Sequence, residues 1–152
     1  MRSIRNLYLL LFMLILTVNE SDACTNFLVT KGASTDGSTM ITYNADAGGF
    51  MEPLVYLPAQ KYAPNDSLEV YDWDTGKYLG KIKQATETFL VTGNINEYQV
   101  SIGETTFTGR TELQDTNGIM DYGSLIRITL QRAKTAREAI QIIGNLVSEY
   151  GY

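Results

Sequence analysis

Two arginines, Arg2 and Arg5, stand ahead of an uncharged, mostly apolar run over residues 7–18, and small residues follow at Ser21 and Ala23. That order of basic, apolar and small positions predicts an export signal over residues 1–23, cleaved before Cys24. A membrane-spanning helix needs roughly 20 apolar residues, so the run is too short for an anchor. No later segment is apolar for long enough to span a bilayer. Residues 24–152 remain as one small domain, long enough to bury a real core.

From Cys24 onward the pattern is that of short strands. Residues 25–30 and 39–44 are rich in β-formers, and the stretch between them, KGASTDGS (31–38), is turn chemistry with an Asp-Gly pair. Together they predict a hairpin with a long loop. Short strands are predicted at 54–57, 68–71 and 78–82, separated by turn-rich stretches such as APND (63–66) and DTG (74–76). Stronger strands are predicted at 88–92 and 99–107, with GNINE (93–97) as a polar turn between them.

The period then changes. Residues 122–133 predict a helix, and a second begins at Thr135, which has capping-box spacing to Glu138. In it, Ala136, Ala139, Ile140, Ile143, Leu146, Val147 and Tyr150 form an apolar stripe, and Gly151 suits a C-terminal cap. Strands followed by two helices predict an α+β fold with the helices on one face of a largely antiparallel sheet. Such a sheet leaves its other face bare, so the chain is expected to be the N-terminal part of a longer domain, or to have that face covered by something else.

Composition narrows the chemistry. The formal net charge is −5, and removing Arg2, Arg5, Glu20 and Asp22 with the leader leaves it unchanged. An acidic chain without a concentrated basic patch is a poor match for nucleic acid. The nearest basic group, Arg127, Arg132, Lys134 and Arg137, reads as solvated helix faces. One cysteine cannot form an intrachain disulfide, and the absence of histidine excludes Ser-His-Asp and Cys-His arrangements as well as His-ligated zinc.

Acid–base work near neutral pH must then come from another group. Cleavage before Cys24 would place a thiol and an α-amine on one residue, and an α-amine has a reference pKa of about 7.7–8. The amine can take the thiol proton and later protonate a leaving amine, so the terminus can act as a nucleophile without histidine. Its place at the start of a hairpin would fix it at the end of a sheet. Asp46, just beyond the second strand, is the first carboxylate positioned to orient the ammonium form.

The run Cys24-Thr25-Asn26-Phe27-Leu28-Val29, the turn Ala33-Ser34-Thr35-Asp36-Gly37-Ser38-Thr39-Met40, and then Asn44-Ala45-Asp46 resemble the start of the C69 dipeptidases. These are N-terminal-nucleophile hydrolases related to the bile-salt hydrolase and penicillin V acylase group. Further matches are Asn96-Glu97, the run from Ile102 to Phe107, and the late stretches Asp121-Tyr122-Gly123-Ser124-Leu125 and Ala133 to Ala139. The resemblance implies an αββα sandwich, incomplete in this chain, with self-exposure of the N-terminal cysteine and dipeptide cleavage through a thioester. It needs no metal or organic cofactor and takes a small peptide as partner; self-association is left open.

By position, Cys24 matches the nucleophile and Asp46 the carboxylate after the second strand, while Asn96 lies in the Asn-Glu turn as a third catalytic candidate. Glu104 and Thr106 fall on a strand that borders the active site in relatives and are the substrate-binding candidates. Relatives commonly carry an arginine shortly before the aspartate; this chain has Thr42-Tyr43-Asn44 there. The expected product is an exported, periplasmic or extracellular enzyme with no stable membrane insertion after signal removal.

Other readings stand beside these. An N-acyl amidase of the bile-salt or penicillin acylase type shares the same nucleophile. A lipid-anchored binding domain would use Cys24 for acylation; Ala23 suits that, but Ser21 and Asp22 do not. By residue type alone, Asn96 is a turn former and Glu104 an exposed strand residue. The aromatic group Tyr56, Tyr62, Tyr71, Trp73 and Tyr78 reads as strand packing before it reads as a stacking surface.

Overall fold

The computed structural model describes residues 24–44, 53–105, 109–113 and 115–152. The proposed leader, Asp46 and Thr106 lie outside the described residues. The first hairpin forms as predicted. Strands β1 (Leu28–Val29) and β2 (Met40–Ile41) are antiparallel, and the pairing extends to a Thr25–Asn44 bridge closed by two 3.1 Å backbone hydrogen bonds. In the loop, Asp36 accepts from the Ser38 amide at 3.0 Å and Gly37 takes a φ of 74°. That conformation suits glycine, which has no Cβ to clash.

A long, interrupted ribbon follows. Strand β3 (Tyr56–Leu57) pairs with β8 (Val91–Thr92), β4 (Gln60–Lys61) with β7 (Glu87–Thr88), and β5 (Ser67–Tyr71) with β6 (Tyr78–Lys83), all antiparallel. The register Tyr56↔Thr92 carries through to Lys61↔Glu87, so 56–71 and 78–92 run alongside each other from end to end. The expected strand at 88–92 is broken in the middle. The Phe89 amide donates to Gln131 O (2.8 Å) and the Leu90 amide to a Glu97 carboxylate oxygen (2.8 Å). Two ladder donors are thereby spent on other partners.

The chain also departs from the expected pattern over the described part of 93–107. Ile95–Asn96, placed in a polar turn by the sequence, is strand β9 against β8, and the chain turns at 97–99 instead. Among the described residues of the expected 99–107 strand there is only an Ile95–Ser101 bridge, and Gln99 adopts φ 62°. The reason is the Asn96 side chain, whose oxygen accepts from the amides of Tyr98 and Val100, both at 3.0 Å. Those bonds pull the chain into a tight reversal.

Helix α1 (Tyr122–Leu130) is shorter than predicted; α2 (Ala136–Tyr150) starts and ends as predicted. Asp121 caps α1 by accepting from Ser124 N at 2.6 Å. Thr135 caps α2 by accepting from Glu138 N at 3.2 Å, and Glu138 reaches back to Lys134 N at 2.8 Å. Gly151 closes α2 with φ 75°. In α2 the stripe is shifted from expectation: Ile140 is 72% exposed, and Ile142 packs inward in its place.

Two cores result. Val70 and Ile82 of the ribbon pack with Met120, Leu125, Ile128 and Leu146, so both helices lie on one side of the β5–β6 pair. Val91, Val100, Leu130, Ala133 and Ala139 form the second. The protein is thus α+β, with two helices and four small antiparallel sheets among the described residues. Each buried aliphatic side chain contributes about 1.5–3 kcal/mol relative to exposure, which makes the ribbon–helix contact the main stabilising layer. No helix among the described residues is long and apolar enough to cross a membrane.

Candidate active site

The hairpin that begins at Cys24 does not stand alone. Backbone reversal at 97–99 sends the following segment back along β9, with Ile102 N bonded to Asn94 O (3.1 Å) and Asn94 Nδ2 to Ile102 O (2.8 Å). Residues 103–105 then arrive against the hairpin. Gly103 eases the approach. A Cβ there would lie 3.2 Å from Asn26 Oδ1, 3.3 Å from Ile41 Cδ1 and 3.4 Å from Tyr43 Cβ.

This docking builds the site. Cys24 is half-buried, and its Sγ donates toward Glu104 Oε1 at 3.7 Å, within reach for a sulfur donor. Thr105 Oγ1 donates to the Cys24 carbonyl at 3.0 Å. Asn26 Nδ2 donates to the Glu104 carbonyl. Asn26 and Cys24 are two residues apart on an extended segment, so they share one face. Both use it to hold the 104–105 backbone and side chains. The Asn26 side-chain oxygen Oδ1 is buried without a hydrogen-bond partner.

The β5–β6 turn is joined to the start of α1. Asp121 holds the turn by accepting from Trp73 N at 2.6 Å, while Tyr122 donates its hydroxyl to Asp74 at 2.8 Å. Burial pushes the Tyr122 hydroxyl's pKa well up; its bond to Asp74 adds to this, and the charges of Asp74 and Glu104 and the Tyr43 hydroxyl contribute further. Tyr152 is raised too, by burial first and then by the charges of Glu104 and Asp121. The Glu104 charge is thus felt at Tyr122 and Tyr152, while its direct side-chain contact is with the Cys24 sulfur. Arg127 is taken up elsewhere, its guanidinium carbon 3.3 Å from the centre of the Trp73 ring.

Of the five candidates named by sequence, the structure joins Cys24 and Glu104. Asp46 and Thr106 lie outside the described residues. Asn96 has a different occupation: its Nδ2 donates to Leu130 O and Ala133 O, both at 2.7 Å, and its Oδ1 accepts two backbone amides. Two donors and two acceptor sites are all an amide side chain offers, so Asn96 is fully engaged in tying β9 to the end of α1. It is 5% exposed.

Asn26, Thr105 and Tyr122 were not singled out from sequence. Period-two spacing from Cys24 could have found Asn26, but the contacts of Thr105 and Tyr122 span separations that no local pattern reports. A cleft of about 450 Å³ lined by Lys83, Gln84, Arg132, Asn145 and Glu149 contains none of these residues. Burial there lowers the Arg132 pKa against the opposing pull of Tyr150 and Glu149. Among the described residues, no group of three or more Cys, Asp or Glu is placed to hold a metal ion.

The candidate site is thus a half-buried thiol beside a carboxylate, at the start of a hairpin. The model of peptidase family C69 matches residues 23–63 and 55–152. The chain belongs to that family, and it is a peptidase of the cysteine type. No solved structure matches it.

Proposed function

We propose that the protein is an exported dipeptidase that uses Cys24 as an N-terminal nucleophile, within an αββα sandwich. The observation that carries this is the placement of Cys24: its sulfur lies 3.7 Å from Glu104 and its carbonyl is held by Thr105. A residue whose backbone and side chain are both held by a neighbouring segment is pre-organised for attack.

In the uncut chain the Cys24 nitrogen belongs to a peptide bond and cannot act as a base. Cleavage before it releases an amine, which accepts the thiol proton. The sulfur then attacks the scissile carbonyl carbon, giving a tetrahedral oxyanion for which amide donors are required. Collapse breaks the C–N bond, and the ammonium gives its proton to the departing amine. A thioester remains on Cys24. Water, deprotonated by the same amine, attacks the thioester and releases the N-terminal residue as a carboxylate, restoring the thiol.

Intact mass of the protein recovered from its host tests this directly. A mass that begins at unmodified Cys24 supports the reading, and a diacylglyceryl or N-acyl adduct refutes it. Substituting Cys24→Ser should lower dipeptide turnover by about 100-fold or more, since it removes the thiolate of the covalent step. Unchanged turnover would move the chemistry to another residue.

A further inference from the structure

We propose that Glu104 anchors the α-ammonium of the peptide substrate, so that the site accepts peptides with an unblocked N-terminus and cuts after their first residue. This deepens the assignment of Cys24 as nucleophile and rests on it. Complementarity of charge comes first. A carboxylate 3.7 Å from the attacking sulfur suits a cation, and it opposes the negative charge that develops on the reacting carbonyl oxygen. Among the described residues the ion pairs are Lys81–Glu69 and Arg110–Glu112, and Glu104 is in neither.

Two cations could sit there: the α-ammonium of Cys24 after cleavage, or that of the substrate. A neighbouring carboxylate favours the charged form of an amine. Pairing Glu104 with the Cys24 amine would therefore keep protonated the group that must act as base. The substrate's ammonium carries no such conflict.

Distance then selects the residue. In a reactive complex the carbonyl carbon lies about 3–3.5 Å from the sulfur. Backbone geometry places the α-nitrogen of the same residue about 2.5 Å from that carbon. That nitrogen falls where Glu104 Oε1 can bond it at the roughly 2.7–2.9 Å of a charge-assisted pair. An ammonium one residue further away would lie up to about 3.6 Å farther along an extended chain, beyond the carboxylate.

The surroundings suit this role. Asn26 holds the Glu104 backbone and Gly103 allows its close seating on the hairpin, so the carboxylate starts from a fixed base. The Thr105 hydroxyl, bonded to the Cys24 carbonyl at 3.0 Å, ties the same segment to the residue that carries the thiol. N-acylation of a substrate would remove the charge and leave Glu104 facing a neutral amide.

The test is calorimetric binding to the full-length, signal-cleaved Cys24→Ala protein, using alanyl-alanine and its N-acetyl derivative. The free peptide should bind about 10- to 100-fold more tightly, the range for a hydrogen bond to a charged group. Adding Glu104→Gln should abolish the preference, and adding Glu104→Asp should retain part of it; the Asp variant also carries the test if the Gln variant fails to fold. Equal binding of the two peptides, or a preference unchanged by Glu104→Gln, overturns the proposal. A loss equal for both peptides gives Glu104 a role that does not depend on the substrate's ammonium and overturns it too. Binding is read without the thiol, so a failed nucleophile assignment would show separately, as turnover retained by Cys24→Ser.

Discussion

Substituting Asn96→Ala separates a structural asparagine from a catalytic one. The side chain is 5% exposed and makes four bonds to backbone groups: Leu130 O and Ala133 O at 2.7 Å, and the amides of Tyr98 and Val100 at 3.0 Å. The last carbonyls of a helix have no partner within the helix, and Asn96 supplies one for the end of α1. An ordinary hydrogen bond is worth about 1 kcal/mol net, so four lost together give roughly 4 kcal/mol. Water reaching the vacated space would reduce that figure; the cavity left by truncation would increase it. Against a total stability of about 5–15 kcal/mol, the loss is severe but measurable.

Urea denaturation followed by circular dichroism is the assay. With a slope of about 1–3 kcal/mol/M, the midpoint should drop by roughly 2 M. Dipeptide turnover per folded molecule should stay within about threefold of the parent, because no atom of Asn96 remains to meet a substrate. Asn96→Asp should be worse than Asn96→Ala, since it aims an acceptor at two carbonyl oxygens. A midpoint shift below about 0.5 M together with lost turnover would refute this account and return Asn96 to the chemistry.

Two further outcomes are expected. Gly123→Ala would set a Cβ 2.6 Å from Trp73 Cγ, an overlap that typically costs about 1–3 kcal/mol and exceeds the helix-propensity gain of about 1 kcal/mol; thermal melts showing stabilisation would contradict that packing. The Asp72 carboxyl is held below its ordinary value of 3.8 by bonds from the Thr75 hydroxyl and backbone. The folded form therefore binds the proton less tightly than the unfolded form. Its contribution is present above 3.8 and lost as pH falls through the lower folded value, so Asp72→Asn should show a flatter loss of melting temperature in acid, and an unaltered acid slope would remove the assignment.

Much of this molecule follows from local sequence. The Thr25–Asn44 hairpin, the β5–β6 pair with its Asp72 turn, the Thr135 cap and the Gly151 stop are each written within a few neighbouring residues. They involve alternation, turn chemistry and capping, all short-range effects. Cys24 was legible for a similar reason, because a cleavage pattern and a single thiol coincide there. What lay beyond local reading were contacts between distant segments. The strand expected at 88–92 is interrupted because Gln131 and Glu97 accept two of its amides. Asn96, a turn former by type, becomes a buried cross-link because the end of α1 comes to rest over it. Glu104 was a candidate by resemblance, but its contact with Cys24, 80 positions away, forms only where the segment beginning at Gly103 settles on the hairpin. Pattern along a chain records each residue's preference; which partner satisfies that preference is decided by packing, after loop closure has brought remote polar groups together.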